Sequence, residues 1–587
     1  MTRATLTTSL STAGPPLNSR GRNTVRKYTP VLLLCLLVVL AAGASIRNGF
    51  VQDDLPIIER NKPLHSASGA LEATMKTYWP PPSDPALWRP LSTTAYAAEW
   101  IVGRGSVLVF RTVSILLYLL CTLLVYALAL ELLPAGGALV AAALFAVHPV
   151  HTEVVGISVN QAEIAVCILC LVAMRFYIRW RRQGPLTTWQ NATLVALSFA
   201  GLLFKESAVV LPALLVAAEL VLFRDPPTAW QRIRRLWPLL LAMGAGIVVF
   251  VACRTLVLGG DVVGTFTAEA LYGLTVGQRG LTMLGVLPEV AKLMLWPVHL
   301  QADYSPGEII SARSWGLPQS VGAAILAAFV AGIALAWKRL PVAAFGLLWF
   351  ALALAPVHNV LLPTGIVLAE RTLFLPSVGL TLAVAAALFA LLAPEHEARV
   401  RRPLRLALLG SVVVVLCLGA WRSSIRYRGF SNQLSFWYMT MKDAPLSYRA
   451  NMAIADLIYD QKNPNPSRFF FRTAIDLFPS GGIARTLLAD KYRFEGNCEA
   501  AAPLYQTVID TFPKNSVARS SLVACLLWNG EYSRARDLAQ TGLAMKVEGP
   551  TYEQFLQTAD SAIAAGAPPQ SVRVHFDTAR GAIAAVE

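Results

Sequence analysis

Pro30-Val-Leu-Leu-Leu-Cys-Leu-Leu-Val-Val-Leu-Ala-Ala-Gly-Ala-Ser-Ile46 runs straight into Arg47-Asn-Gly-Phe-Val-Gln-Asp-Asp54-Leu-Pro56. An apolar helix of that length is about long enough to cross a bilayer. No convincing small-residue cleavage site precedes Asp53, so the run reads as a retained span. Upstream, Arg20, Arg22, Arg26 and Lys27 stand without an acid. That places the tail 1–29 in the cytoplasm and predicts disorder there. The chain then emerges on the outer side with two adjacent carboxylates, cheap to keep in water and costly to bury in hydrocarbon. Such neighbours crowd each other, which raises one pKa and suits a base. A solvated loop pair is the plainer alternative, and the rest of the outer face has to decide.

Composition sets the class. The 587 residues are 55% hydrophobic and 14% charged, with mean hydropathy +0.53. That is a polytopic membrane protein rather than a soluble globule. The net charge of +15 does not point to nucleic acid, because the basic residues cluster between apolar runs. Inward-facing loops do the same. The eight cysteines show no paired framework. Cys167 and Cys170 read as a packing face on a span, and a bond between Cys498 and Cys525 stays open.

Beyond a first outer loop, 47–105, apolar runs recur at 107–132, 139–147, 164–179, 194–204, 209–223, 236–253, 321–337, 342–360, 373–392 and 406–421. Basic groups close alternate runs: Arg179, Arg181 and Arg182; Arg224 with Arg232, Arg234 and Arg235; Lys338 and Arg339; Arg399, Arg401, Arg402 and Arg405. The run 281–300 carries Glu289, Lys292 and His299. Were it a span, the later clusters would face the wrong way, so it is read as re-entrant or lying on the surface. About eleven spans follow, forming a membrane domain over 30–421. A linker, 422–447, leads to an outer tail.

The tail repeats. Ala474-Ile-Asp-Leu-Phe-Pro479 returns as Val508-Ile-Asp-Thr-Phe-Pro513, and Gly496/Gly530 and Ala501/Ala535 share the 34-residue interval. This is the tetratricopeptide period. Repeats are expected over 448–549 and a capping segment over 550–587. The fold class is all-α, a polytopic membrane domain followed by an α-solenoid.

Under this topology the outer span ends gather Asp53, Asp54, Arg89, His148, His151, Glu153, Lys205, Glu206, Arg254, Asp303, Glu370 and Arg371. Ionisable residues at such depths are functional candidates. Asp53 or Asp54 is the candidate base, with Asp54 slightly favoured. Arg371 is the first choice for gripping a phosphate, its planar fork suiting bidentate contact. Lys205, Arg254 and Arg89 follow it. Each has a structural alternative: Lys205–Glu206 as a local ion pair, and Glu370 as the group that steadies Arg371. His148-x-x-His151-x-Glu153 has near-metal spacing. A divalent cation there and imidazoles hydrogen-bonded in an outer cleft both stay open.

In this order, several motifs resemble the glycosyltransferase-C superfamily. They are Asp53-Asp54, Trp88-Arg-Pro-Leu91, His148-Pro-Val-His-Thr-Glu153, Phe204-Lys-Glu-Ser207, Trp296-Pro297 with Ala302-Asp-Tyr-Ser305, and Leu368-Ala-Glu-Arg371. With the repeats they are most similar to the transmembrane and tetratricopeptide-repeat (TMTC) protein O-mannosyltransferases and their bacterial relatives. The resemblance implies a polyprenyl-phosphate-linked sugar as donor, and a Ser or Thr hydroxyl of an exported protein as acceptor. It also implies an acidic base in the first outer loop. No cofactor is certain. The location implied is a bacterial inner membrane, with the N-terminus cytoplasmic and the repeats periplasmic. The chain departs from that pattern at Arg111, Ser114 and Tyr118, and at Asn160-Gln-Ala-Glu163.

Three rivals remain at this stage. A transferase acting on a lipid or surface polysaccharide keeps the same motifs. A transporter needs charged or broken helices near the midplane, whereas these charges sit at span ends. A scaffold acting only through its repeats leaves the outer motifs without a task.

Overall fold

The structure is a computed structural model describing residues 19–80, 87–260, 268–304, 306–360, 363–392, 398–545, 550–572, 576–577 and 581–582. Tail residues 1–18 and Ser305 of the expected motif lie outside the described residues. Every expected apolar run falls on a helix. The first begins at Ser19, so tail residues 19–29, expected to be disordered, are helical.

Among the described residues, seven segments are long and apolar enough to cross a membrane, and the chain is an integral membrane protein. The pair Ala135–Val147 and Pro149–Gly156, bent by 50°, makes eight where it is counted as one broken span. Pro149 has no N–H for the helix ladder and forces the break. The helices Thr188–Phe204, Leu211–Leu222 and Pro341–Leu354 are shorter than a full crossing. Val276–Leu295 is a continuous helix outside the candidate spans, with Arg279, Glu289 and Lys292 on it.

Close backbone approach organises the bundle centre. A Cβ on Gly346 would sit 2.4 Å from the Gly379 carbonyl, and one on Gly379 2.3 Å from that of Gly346. Only glycine lets Pro341–Leu354 meet Phe374–Leu391 this way. The indole of Trp349 closes the seam by donating to Leu375 O at 2.9 Å.

After Tyr427–Phe430 and Gln433–Asp443, paired helices form the solenoid: Tyr448–Leu457 with Asn465–Leu477, Ile483–Phe494 with Cys498–Thr511, and Ser516–Trp528 with Tyr532–Ala544. Pro550–Ala565 packs on the last pair. Gly496 and Gly530 have φ of 77° and 80°, the left-handed turn that ends a helix without a Cβ penalty. Buried alanines 489, 501 and 535 let neighbouring helices close up. Two two-residue strands, Phe576–Asp577 and Gly581–Ala582, pair antiparallel near the end.

The first repeat is fastened to the membrane domain. Ser447 Oγ donates to Asp303 at 2.7 Å, Leu446 N to Glu308 at 2.9 Å, and Tyr448 N to Pro306 O at 3.3 Å. Gly307, at φ 99°, lies so close to Leu446 O that a Cβ would reach 1.9 Å from it.

Candidate functional site

The two aspartates of the first outer loop part company. Asp54 is wholly buried. Its Oδ2 lies 3.2 Å from Arg111 Nη2 and accepts from Ser158 N at 3.1 Å; its Oδ1 accepts from Val159 N at 2.9 Å. Burial lifts its carboxyl above the ordinary range, against the pull of Arg111 and the two amides. Arg111 also donates to the carbonyls of Asn48 and Gly49. Asp54 therefore pins the loop to the second span and to the 158–160 turn. Both of its oxygens are taken up by these contacts, whereas the sequence slightly favours Asp54 over Asp53 as base.

Asp53 is half-buried, and among the described residues its carboxylate has no hydrogen bond or ion pair. Its charge acts on Arg371 and on Tyr78. The residue before it, Gln52, holds φ at 53°, a sparsely populated conformation for a side chain of its size. Gln433 Oε1 holds it there by accepting from Gln52 N at 2.6 Å. Ser431 O accepts from Gly49 N at 3.1 Å. The segment expected to be a linker thus cradles the aspartate loop.

Arg371, Lys205 and Arg89 each have a carboxylate partner, and for the first two it differs from the expected one. Arg371 pairs with Glu153, which also accepts from Arg371 N at 2.8 Å. Glu370, expected to steady Arg371, instead accepts from Tyr304 at 3.0 Å. Lys205 pairs with Glu163, not with its neighbour Glu206. Arg89 donates from Nε and Nη2 to Glu206 Oε2 at 3.0 and 2.9 Å. Burial favours a neutral Glu206, but Arg89 overrides it and holds the carboxyl below the usual range, with a contribution from Arg254. Burial pulls the Lys205 ammonium down, Glu163 opposes this, and Arg89 and Arg371 add to the pull. Lys205 therefore feels the charge of both Arg89 and Arg371, and Glu206 that of Arg254 as well. The cluster can receive an anion. An arginine held by one carboxylate keeps further N–H donors for phosphate oxygens.

The histidines do not form a metal set. His148 Nε2 lies 3.2 Å from Met294 O; His151 lies 2.9 Å from both the Tyr118 hydroxyl and Ser377 Oγ. Glu153 is turned to Arg371. Among the described residues no three His, Cys, Asp or Glu side chains gather as metal ligands. Asp303 is also displaced from the expected site, to the junction with the repeats.

The departures from the family pattern find partners in one another and in the site. Gln161 Nε2 donates to Ser114 Oγ at 3.1 Å, and Asn160 Nδ2 to Glu153 O at 3.1 Å. Glu163, in the segment that departs from the family pattern, carries no sequence signal for its pairing with Lys205. Tyr78 was missed too; its ring lies 4.9 Å from the Arg89 guanidinium carbon. So was Glu99, 3.1 Å from Gln161, whose carboxyl burial pushes up to about 7. Gln433 had no local signal at all.

The family model described as dolichyl-phosphate-mannose-protein mannosyltransferase matches residues 98–253, and a tetratricopeptide-repeat model matches 495–557. The Drosophila melanogaster protein O-mannosyl-transferase Tmtc2 is 30% identical over 286 residues, 46% of this chain and 30% of that one. Mouse TMTC3 is 24% identical over 387 residues, 61% of this chain and 42% of that one. Mouse TMTC1 is 23% identical over 545 residues, covering 75% and 57%. The chain spans between a fifth and just over half of the length of these and similar curated relatives. The solved oligosaccharyltransferase of Archaeoglobus fulgidus superimposes with a TM-score of 0.42 at 15% identity, over 77% of this chain and 59% of that one.

Proposed function

We propose that this chain is a membrane glycosyltransferase that moves a sugar, mannose in the first instance, from a polyprenyl phosphate to Ser or Thr hydroxyls of an exported protein. The observation that carries the proposal is the unpaired Asp53 carboxylate within electrostatic reach of Arg371, in a cluster that also holds Lys205 and Arg89. Its similarity to named O-mannosyl-transferases supports the reaction class and suggests the sugar.

The donor's phosphate sits at the outer membrane edge against Arg371, with Lys205, Arg89 and Arg254 around it. As the anomeric C–O bond breaks, these fixed cations neutralise the charge that develops on the leaving phosphate. Asp53 takes the proton of the acceptor hydroxyl as its oxygen bonds to the anomeric carbon. One displacement inverts that carbon. Glu153, Glu163 and Glu206 hold the cations in place. Asp54 fixes the loop and takes no part in proton transfer.

Eleven alternating crossings, with the bent pair and the three short helices counted among them, put the basic clusters in the cytoplasm of a bacterium and the repeats outside its inner membrane. Their fastening through Ser447, Leu446 and Tyr448 holds an acceptor-binding solenoid beside the site. Mass spectrometry of exported proteins from cells with and without the chain tests this. Hexose on Ser or Thr that disappears with the chain is expected. Unchanged protein glycans together with a changed lipid or polysaccharide would overturn the protein acceptor.

A further inference from the structure

Consecutive units of the repeat stack meet through two cysteines. Cys498 opens the helix Cys498–Thr511, the second helix of one unit; Cys525 lies in Ser516–Trp528, the first helix of the next. Both are buried, and their sulfurs face each other at 2.6 Å. Contact with Cys525, and the nearby Arg493 guanidinium, pull the Cys498 thiol below its usual range against burial. The helix N-terminus at Cys498 favours the thiolate in the same sense. A second facing pair, Cys121 and Cys167 at 3.4 Å, lies inside the membrane bundle.

We infer that Cys498 and Cys525 are joined as a disulfide that staples neighbouring repeats. The inference rests on the outward orientation proposed above, since oxidising compartments lie outside the cytoplasm. The oxidant is a disulfide-bearing thiol oxidoreductase of that compartment, acting while the repeats fold. The Cys498 thiolate attacks its disulfide, forming a mixed disulfide and releasing one thiolate of the oxidant. The Cys525 thiolate then attacks the Cys498 sulfur, and the oxidant leaves as a dithiol. Two thiol protons and two electrons are lost by the repeats, and the electrons reduce the oxidant. The bond closes a segment of 27 residues across a junction between units, where a solenoid depends on its neighbours. Cys121 and Cys167, in the bilayer, stay thiols and serve as an internal control.

The full-length chain is taken from cells lysed in N-ethylmaleimide and digested with trypsin without reductant. Expected is a peptide linking residues 494–514 to 520–534, with Cys121 and Cys167 alkylated. Protease added outside intact spheroplasts should degrade the repeats at least about tenfold faster in Cys498→Ser/Cys525→Ser than in the parent. Alkylated Cys498 and Cys525 in a chain whose repeats are digested from outside would overturn the disulfide and leave the proposed function standing. Alkylated thiols with repeats protected from that protease would overturn both. A link found only when the alkylating agent is omitted would mark an artefact of lysis and overturn the disulfide.

Discussion

Acid–base pairs gather at two ends of the bundle, and they are built differently. At the end where the basic clusters lie, acids are saturated. Glu131 accepts from Arg179 at 2.7 Å and Arg182 at 3.2 Å, with Arg175 at 3.6 Å. Buried Glu219 holds Arg181 through three hydrogen bonds, 2.9 to 3.1 Å long, and accepts from Tyr177 as well. At the other end Glu153, Glu163 and Glu206 hold Arg371, Lys205 and Arg89 respectively, and Asp53 is left over. Ion pairs alone therefore do not mark a site. The mark is a carboxylate without a partner beside cations that keep donors to spare.

The sharpest break between the two ends is predicted for Glu219→Gln. Removing one partner of a buried pair strands the other charge and costs about 3–5 kcal/mol. Folded yield and apparent melting temperature should fall, while turnover per folded molecule stays at the parental value. A lower turnover without loss of stability would make that end functional too.

Glu99 tests the opposite sign. Its carboxyl is raised from 4.5 to about 7 by burial, with neutral Gln161 as its hydrogen-bond partner. The folded protein therefore keeps a proton that the unfolded chain has lost. Stability from this group is complete below pH 4.5 and is lost as pH rises through about 7, on the order of 3 kcal/mol in all. Melting temperature should fall across that window, and Glu99→Gln should flatten the slope and raise stability at pH 8. An unchanged slope in the variant would remove Glu99 as its source.

Arg371→Lys keeps the charge and loses the planar fork. Turnover should drop about tenfold, the worth of roughly one hydrogen bond to a charged group, with weaker donor binding. An unchanged rate and donor affinity would make this arginine structural, like Arg181. The smallest effect is expected from Gln433→Ala, which frees Gln52 N and loosens the strained turn before Asp53. Turnover should fall a few-fold, the worth of about one neutral hydrogen bond, with donor affinity unchanged. Equal losses in rate and donor affinity would place Gln433 outside the aspartate loop's support.

The helical architecture was legible because its signals are local. Apolar runs, basic span ends and a 34-residue period all sit within a window of sequence. Pairing was not legible, because it joins distant spans. Arg371 finds Glu153 across 218 residues rather than Glu370 next door, since adjacent side chains on one turn point apart. Lys205 passes over Glu206 for Glu163 by the same geometry. Asp53 and Asp54 looked alike in sequence. Only burial against Arg111, 57 residues away, separates them. The span count is harder still, because helices such as Leu211–Leu222 are too short to declare themselves by length.

The central claim is that Asp53, and not Asp54, takes the acceptor proton. Purified chain, given radiolabelled polyprenyl-phosphate mannose and a Ser/Thr-rich exported peptide, separates the two. Asp53→Asn should fold, bind donor and lose at least about 10²-fold in transfer rate, the usual worth of a general base. Asp54→Asn should lose folded yield, with the folded fraction still transferring sugar. An Asp53→Asn chain that transfers at the parental rate would contradict the account.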